Sequence, residues 1–188
     1  MVVYLSLYTS GDDNGTVIYY SYTDDLLDQS HYSQPHVLFD PNTGKDAIDG
    51  DITEFNGTYY MFYKDEDAAT ICVTSASSLT GEYSTTDILT LNTSFNDGKA
   101  EGLEGCQVYK EADGNYIFIA DRYGANGVFA AFNLGTDLAA SINLIKNGKS
   151  VMDYYDSALT SQLSKLGPRH GSMISISDDE YETLKLNF

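Results

Sequence analysis

A chain of 188 residues is one domain's worth of polypeptide and is long enough to bury a real core. Its 28 Asp and Glu outnumber 10 Lys and Arg, for a net charge of −18 at pH 7, which repels phosphate backbones and anionic bilayers and argues against nucleic-acid or membrane-surface partners. The 42% hydrophobic content, with 16 Tyr and 8 Phe, argues against disorder despite that charge.

The chain opens on Val2-Val3-Tyr4-Leu5-Ser6-Leu7, a strand pattern with no basic residue and no long apolar core. It does not read as a signal peptide, and no later stretch approaches membrane-span length. If residue 1 is the true start, the expected location is cytoplasmic. A second strand pattern follows at 17–21, then Asp24-Asp25-Leu26. His31 and His36 flank Tyr32-Ser33-Gln34-Pro35 in a connection between strands and read as solvated surface. The next unit runs through Ala47-Ile48-Asp49-Gly50-Asp51-Ile52, Gly57-Thr58-Tyr59-Tyr60-Met61-Phe62-Tyr63, Thr70-Ile71-Cys72-Val73 and Ser78-Leu79-Thr80-Gly81. A third echoes it with Gly102-Leu103-Glu104-Gly105-Cys106-Gln107-Val108, Gly114-Asn115-Tyr116-Ile117-Phe118-Ile119, Gly127-Val128-Phe129-Ala130-Ala131-Phe132 and Thr136-Asp137-Leu138. β-Branched and aromatic residues dominate these runs, which favours strands. Two stretches read as helical: residues 154–166, with loop as the alternative, and the C-terminus, where Ser177-Asp178-Asp179-Glu180 forms a capping box. The two cysteines, Cys72 and Cys106, read as buried reduced thiols, and no Cys/His spacing suggests zinc.

Tyr59 and Tyr116 lie 57 positions apart. Several strands per unit at that period read as the blades of a β-propeller, an all-β fold, rather than a sandwich or jelly roll. The units fall at about 1–45, 46–98 and 99–150 of a single domain, with 151–188 supplying a closing strand and a short helix. That makes three to three and a half blades, whereas propellers close with about 4–8. Open blade edges call for self-association or for a cap on the edge.

In a propeller the lead strand of each blade lines the central channel, so polar residues beside glycines in those strands are the candidates for chemistry. Carboxylates from successive blades that converge on one cavity suit glycosidic bond cleavage, one as proton donor and another as base or nucleophile. Capping and turn carboxylates are the competing explanation for each.

Four collinear motifs sharpen this. The segment Ala47-Ile48-Asp49-Gly50-Asp51-Ile52 with Asn56-Gly57-Thr58-Tyr59-Tyr60-Met61-Phe62-Tyr63 resembles the third-blade segment of family 43 glycoside hydrolases. Ser75-Ala76-Ser77-Ser78-Leu79-Thr80-Gly81 is similar to that family's blade ending. Glu104-Gly105-Cys106-Gln107-Val108-Tyr109-Lys110 with Asp113-Gly114-Asn115-Tyr116 resembles its acid-bearing blade. Pro168-Arg169-His170-Gly171-Ser172-Met173-Ile174 before Glu180-Tyr181 resembles the ending of an arabinofuranosidase/xylosidase-like branch.

The resemblance implies a five-bladed propeller and inverting hydrolysis of arabinose- or xylose-containing glycans, with an arabino- or xylo-oligosaccharide as partner. Glu104 resembles the general acid, with Glu101 as competitor. Asp49 resembles the carboxylate that orients the acid and tunes it, with Asp51 as the second candidate. Arg169 is a candidate anchor for substrate. His170 resembles a histidine beneath the pocket that helps hold a structural calcium in the channel, against the alternative of a hydrogen-bonded structural histidine; no cofactor is otherwise required. Cys106 stands where the family has Pro. The family's general base comes from an Asp-Pro segment of the first blade, upstream of where this sequence begins, and Asp40-Pro41 is not assigned to it. The chain is therefore expected to be weak or inactive alone, and a non-catalytic carbohydrate-binding propeller is the alternative. The pairs Tyr19-Tyr20, Tyr59-Tyr60 and Tyr154-Tyr155 are candidates for stacking on sugars, although strand packing claims most of them. Asp121-Arg122-Tyr123 follows a strand, within reach of a channel mouth.

Overall fold

The computed structural model describes residues 1–8, 15–41, 45–95, 102–125, 128–167, 173 and 176–187. Among the described residues, ten strands form three antiparallel sheets in chain order. The first holds β1 (Val2–Tyr8), β2 (Thr16–Tyr22) and β3 (His36–Phe39) in that order. The second holds β4 (Ala47–Phe55), β5 (Thr58–Asp65), β6 (Thr70–Ala76) and β7 (Leu89–Leu91). The third holds β8 (Gly102–Lys110), β9 (Tyr116–Tyr123) and β10 (Val128–Asn133).

Each sheet is a meander, and in the third the side-chain period of two shows how both faces are covered. On β9, Tyr116, Phe118 and Ala120 pack with Phe62, Ile71 and Val73 of the second sheet. The alternate residues Ile117 and Ile119 pack on the opposite face against Leu159 and Leu163 of helix α2 (Ser157–Ser164). Phe62, Phe118 and Phe132 stack in series, with ring centroids 5.5 and 5.3 Å apart. A second core joins Ile18, Leu38 and Phe39 of the first sheet to Ala47, Met61 and Tyr63 of the second. Three sheets packed face to face in succession are blades of a propeller, not the two layers of a sandwich.

The helices need one correction. The run after Thr136-Asp137 continues as helix α1 (Leu138–Lys146), which the sequence reading did not include. Asp137 caps it by accepting the Ala140 N–H at 2.9 Å, and Leu138, Ser141 and Ile145 bury one face. The helix lies against the second sheet beside Tyr60, Val73 and Leu89. Within the segment 154–166, helix α2 forms as expected and is capped by Asp156. At the C-terminus helix α3 (Asp178–Asn187) opens on the expected box, with the Ser177 N–H donating to Glu180 Oε2 at 2.7 Å. The proposed closing strand falls mostly outside the described residues. Among the described residues no helix is long and apolar enough to cross a membrane.

Both cysteines are buried and unpaired. The tyrosine pairs serve mainly as core, with Tyr20, Tyr59, Tyr60, Tyr154 and Tyr155 packed on the hydrophobic clusters. His31 and His36 are exposed as expected; His31 Nδ1 sits 2.6 Å from Asp24 Oδ1, and His36 stacks on Tyr20.

Candidate active site

The lead strands β4 and β8 break register at corresponding places. In β4, pairing runs from Ile48–Lys64 to Asp51–Phe62, so Asp49 and Gly50 share one opposing residue. In β8 it runs from Glu104–Asp121 to Gln107–Ile119, so Gly105 and Cys106 do the same. The first bulged residue is left-handed in each case, with φ 54° at Asp49 and 56° at Gly105. Bulges of this kind re-aim neighbouring side chains, and aspartate is among the few non-glycine residues that tolerate the conformation. Gly50 is required for another reason: a Cβ there would lie 2.7 Å from Ile18 Cδ1, so it admits β2 against β4.

Asp49 and Glu104 therefore do not hold equivalent places on their blades. The bulge aligns Asp49 with Gly105, 56 positions on, and Ile48 with Glu104. The Asp49 carboxylate instead reaches the backbone of β8 beside Glu104. Asp49 Oδ2 accepts the Gly105 N–H at 2.9 Å, the peptide immediately after Glu104. Cys106 Sγ donates to the Asp49 carbonyl at 3.2 Å, so the thiol in the family's proline position ties the two bulges together. Asp51 Oδ2 accepts the Val108 N–H at 2.8 Å. Burial raises the Asp51 pKa to about 6, against the downward pull of that hydrogen bond. Both aspartates thus clamp the backbone of β8, and the N–H that follows Glu104 is bound by Asp49.

Glu104 opens on a cavity of about 510 Å³ whose wall includes Asp46, Lys64, Glu66, Asp67 and Tyr123. Asp49 and Asp51 stand behind the strand rather than in this wall. Glu104 Oε2 lies 3.3 Å from Lys64 Nζ, which also contacts Glu66 Oε2 at 2.6 Å and sits 4.5 Å from the centre of the Tyr123 ring. The sequence reading singled out neither Lys64 nor the rim acids. Asp121-Arg122-Tyr123 lies within β9 rather than after it, and Tyr123 at its end lines the cavity.

Arg169, His170 and Glu101 lie outside the described residues, so the calcium expectation that rests on His170 has no geometry here. Just beyond, Met173 is held to β8: its N–H donates to Gln107 Oε1 at 2.5 Å, and Gln107 Nε2 donates to its carbonyl at 3.3 Å. Among the described residues no three His, Cys, Asp or Glu side chains converge on a metal site.

A family model described as a probable glycosyl hydrolase domain, related to family 43, matches residues 1–182. The chain belongs to this family. No curated protein matches it. Among solved structures, an α-L-arabinofuranosidase from Podospora anserina in complex with cellotriose is similar with a TM-score of 0.54 at 15% identity, over 73% of this chain and 43% of its own. An α-L-arabinofuranosidase from Clostridium thermocellum is similar with a TM-score of 0.50 at 18% identity, over 72% of this chain and 48% of its own. These likenesses show the fold, the five-bladed propeller of family 43, of which the three sheets are a part. The family-43-related chain spans less than half the length of either structure.

Proposed function

We propose that the chain carries the acid half of an inverting glycoside hydrolase site for arabinose- or xylose-containing glycans. The observation that carries this reading is the Asp49–Gly105 hydrogen bond, which ties one predicted carboxylate to the peptide beside the other. Glu104 protonates the departing glycosidic oxygen. Asp49 acts behind it, holding the bulge that aims the acid at the cavity. Both similar structures are α-L-arabinofuranosidases, which supports a pentose-containing glycan as substrate.

Inversion also needs a base across the sugar ring, about 6.5–9.5 Å from the acid, to activate water. We place that base outside the three described blades and do not assign it to Asp40. A site without its general base loses roughly 10²–10⁴ in rate. A panel of alkyl α-arabinofuranosides and β-xylosides, whose poor leaving groups need a proton, read with native protein and Glu104→Gln, tests the reading. Hydrolysis abolished by the substitution is expected, with the released sugar inverted by NMR. Hydrolysis that survives it sinks the assignment, and pentose binding with no turnover marks a non-catalytic carbohydrate-binding propeller.

A further inference from the structure

Lys64 is the charge at the cavity that the scheme above leaves without a task. It sits on β5 opposite Ile48, where the β4 bulge begins, and only 3% of it is exposed. Lysine is rarely buried so deeply without partners, because burial disfavours its charge. Burial does pull its pKa down here, but Glu66 and then Glu104 outweigh it and the net direction is up. Lys64 Nζ is therefore an ammonium in the neutral range.

Its two contacts are unequal. The 2.6 Å contact to Glu66 joins it to a residue just after its own strand, and that side chain is 47% exposed. The 3.3 Å contact to Glu104 crosses to the next blade, where the carboxylate side chain is only 18% exposed. The Tyr123 ring, from the strand paired with β8, covers the ammonium at 4.5 Å. The shorter contact and the ring fix the ammonium, and the longer contact leaves the Glu104 carboxyl room to turn towards a leaving group.

We propose that Lys64 is a positioning residue, which holds the Glu104 carboxyl at the cavity wall in the orientation from which it reaches a glycosidic oxygen. This rests on Glu104 being the acid. Lys64→Met keeps most of the stem and removes the charge, while Lys64→Arg restores a cation. Two arabinosides separate positioning from general damage: an alkyl arabinoside, whose poor leaving group needs a proton, and a dinitrophenyl arabinoside, whose leaving group departs without one.

Lys64→Met is expected to lose at least roughly tenfold in kcat on the alkyl substrate, since misplacing a catalytic group by about 1 Å costs up to 10²-fold. Its KM and its rate on the dinitrophenyl substrate stay near native values, and Lys64→Arg recovers the loss. Equal losses on both substrates, or none on either, overturn the proposal. If Lys64→Met does not fold, Lys64→Gln takes its place in the same comparison. A native chain inert on both substrates counts against the hydrolytic reading alone. Crystal structures of the native protein and the variant then decide: a displaced Glu104 carboxyl supports positioning, and an unmoved one overturns it.

Discussion

Asp51 gives up most of its hydration for one backbone hydrogen bond, and the exchange is unfavourable to its charge. The carboxyl ionises near 3.8 in an unfolded chain and near 6 in the fold, with burial the leading cause. The folded state thus binds the proton more tightly, so this group's stabilising share is full below about pH 3.8 and is lost as pH rises through about 6. The move corresponds to at most about 3 kcal/mol. Asp51→Asn keeps an acceptor for Val108 N–H and removes the titration. Urea unfolding at acid and neutral pH should show the variant gaining on the native protein by about 1–3 kcal/mol between those limits; a constant difference would mean that the native carboxyl is hydrated. At this scale Asp49, Asp51 and Glu104 stood out through the resemblance to family 43 motifs, because with 28 acidic residues an acid beside a glycine is not distinctive. The sequence did not expose Lys64, because a lysine ending a strand ordinarily extends its ammonium to water; only the fold reveals that β8 and Tyr123 close over it.

The edge of the third sheet shows how an element is finished by another far along the chain. β10 pairs with β9 along one side, while its other side meets an isolated bridge between Phe132 and Tyr155 and otherwise offers N–H groups that could pair with another chain. Helix α2 covers them: Ala131 N–H donates to Thr160 Oγ1 at 3.0 Å and Phe129 N–H to Ser164 Oγ at 3.1 Å. The two hydroxyls are one helical turn apart, so one face of α2 meets alternate residues of the strand. Thr160→Val preserves shape and removes the acceptor, leaving the Ala131 N–H buried and unpaired. A loss of about 1–3 kcal/mol in chemical denaturation is expected, and with Ser164→Ala added, light scattering should detect more association than in the native chain. A stability change near zero would show that water replaces the hydroxyl. Strands and the α3 cap were readable because their signals are local. α1 was not, because Thr136-Asp137-Leu138 echoes a blade ending elsewhere in the chain, and only its burial against the second sheet makes the following residues a helix. The bulges were equally hidden: nothing in the spelling Asp49-Gly50-Asp51 marks the left-handed backbone at Asp49.

The charge of the whole molecule bears on which glycans reach the cavity. The 57-residue period was visible in the sequence because each blade repeats the same buried alternation, yet the sharing of carboxylates between blades depends on sheet stacking that no local pattern encodes. That stacking gathers Asp46, Glu66, Asp67 and Glu104 around Lys64, the one cation among the described residues of this wall, which two of them contact. On a chain of net charge −18 this leaves a negative local field, and a cleft of one sign repels ligands of that sign. Neutral xylo- or arabino-oligosaccharides should therefore bind more tightly than the same oligosaccharides bearing a glucuronate. The gap should narrow as salt rises from roughly 0.01 M to 0.1 M, over which the screening length falls from about 30 to 10 Å. Calorimetric titration of matched ligands at both salt concentrations measures it. If the uronate-bearing ligand binds as well as the neutral one at low salt, the acidic rim does not face the bound glycan, and the cavity beside Glu104 is not where the sugar sits.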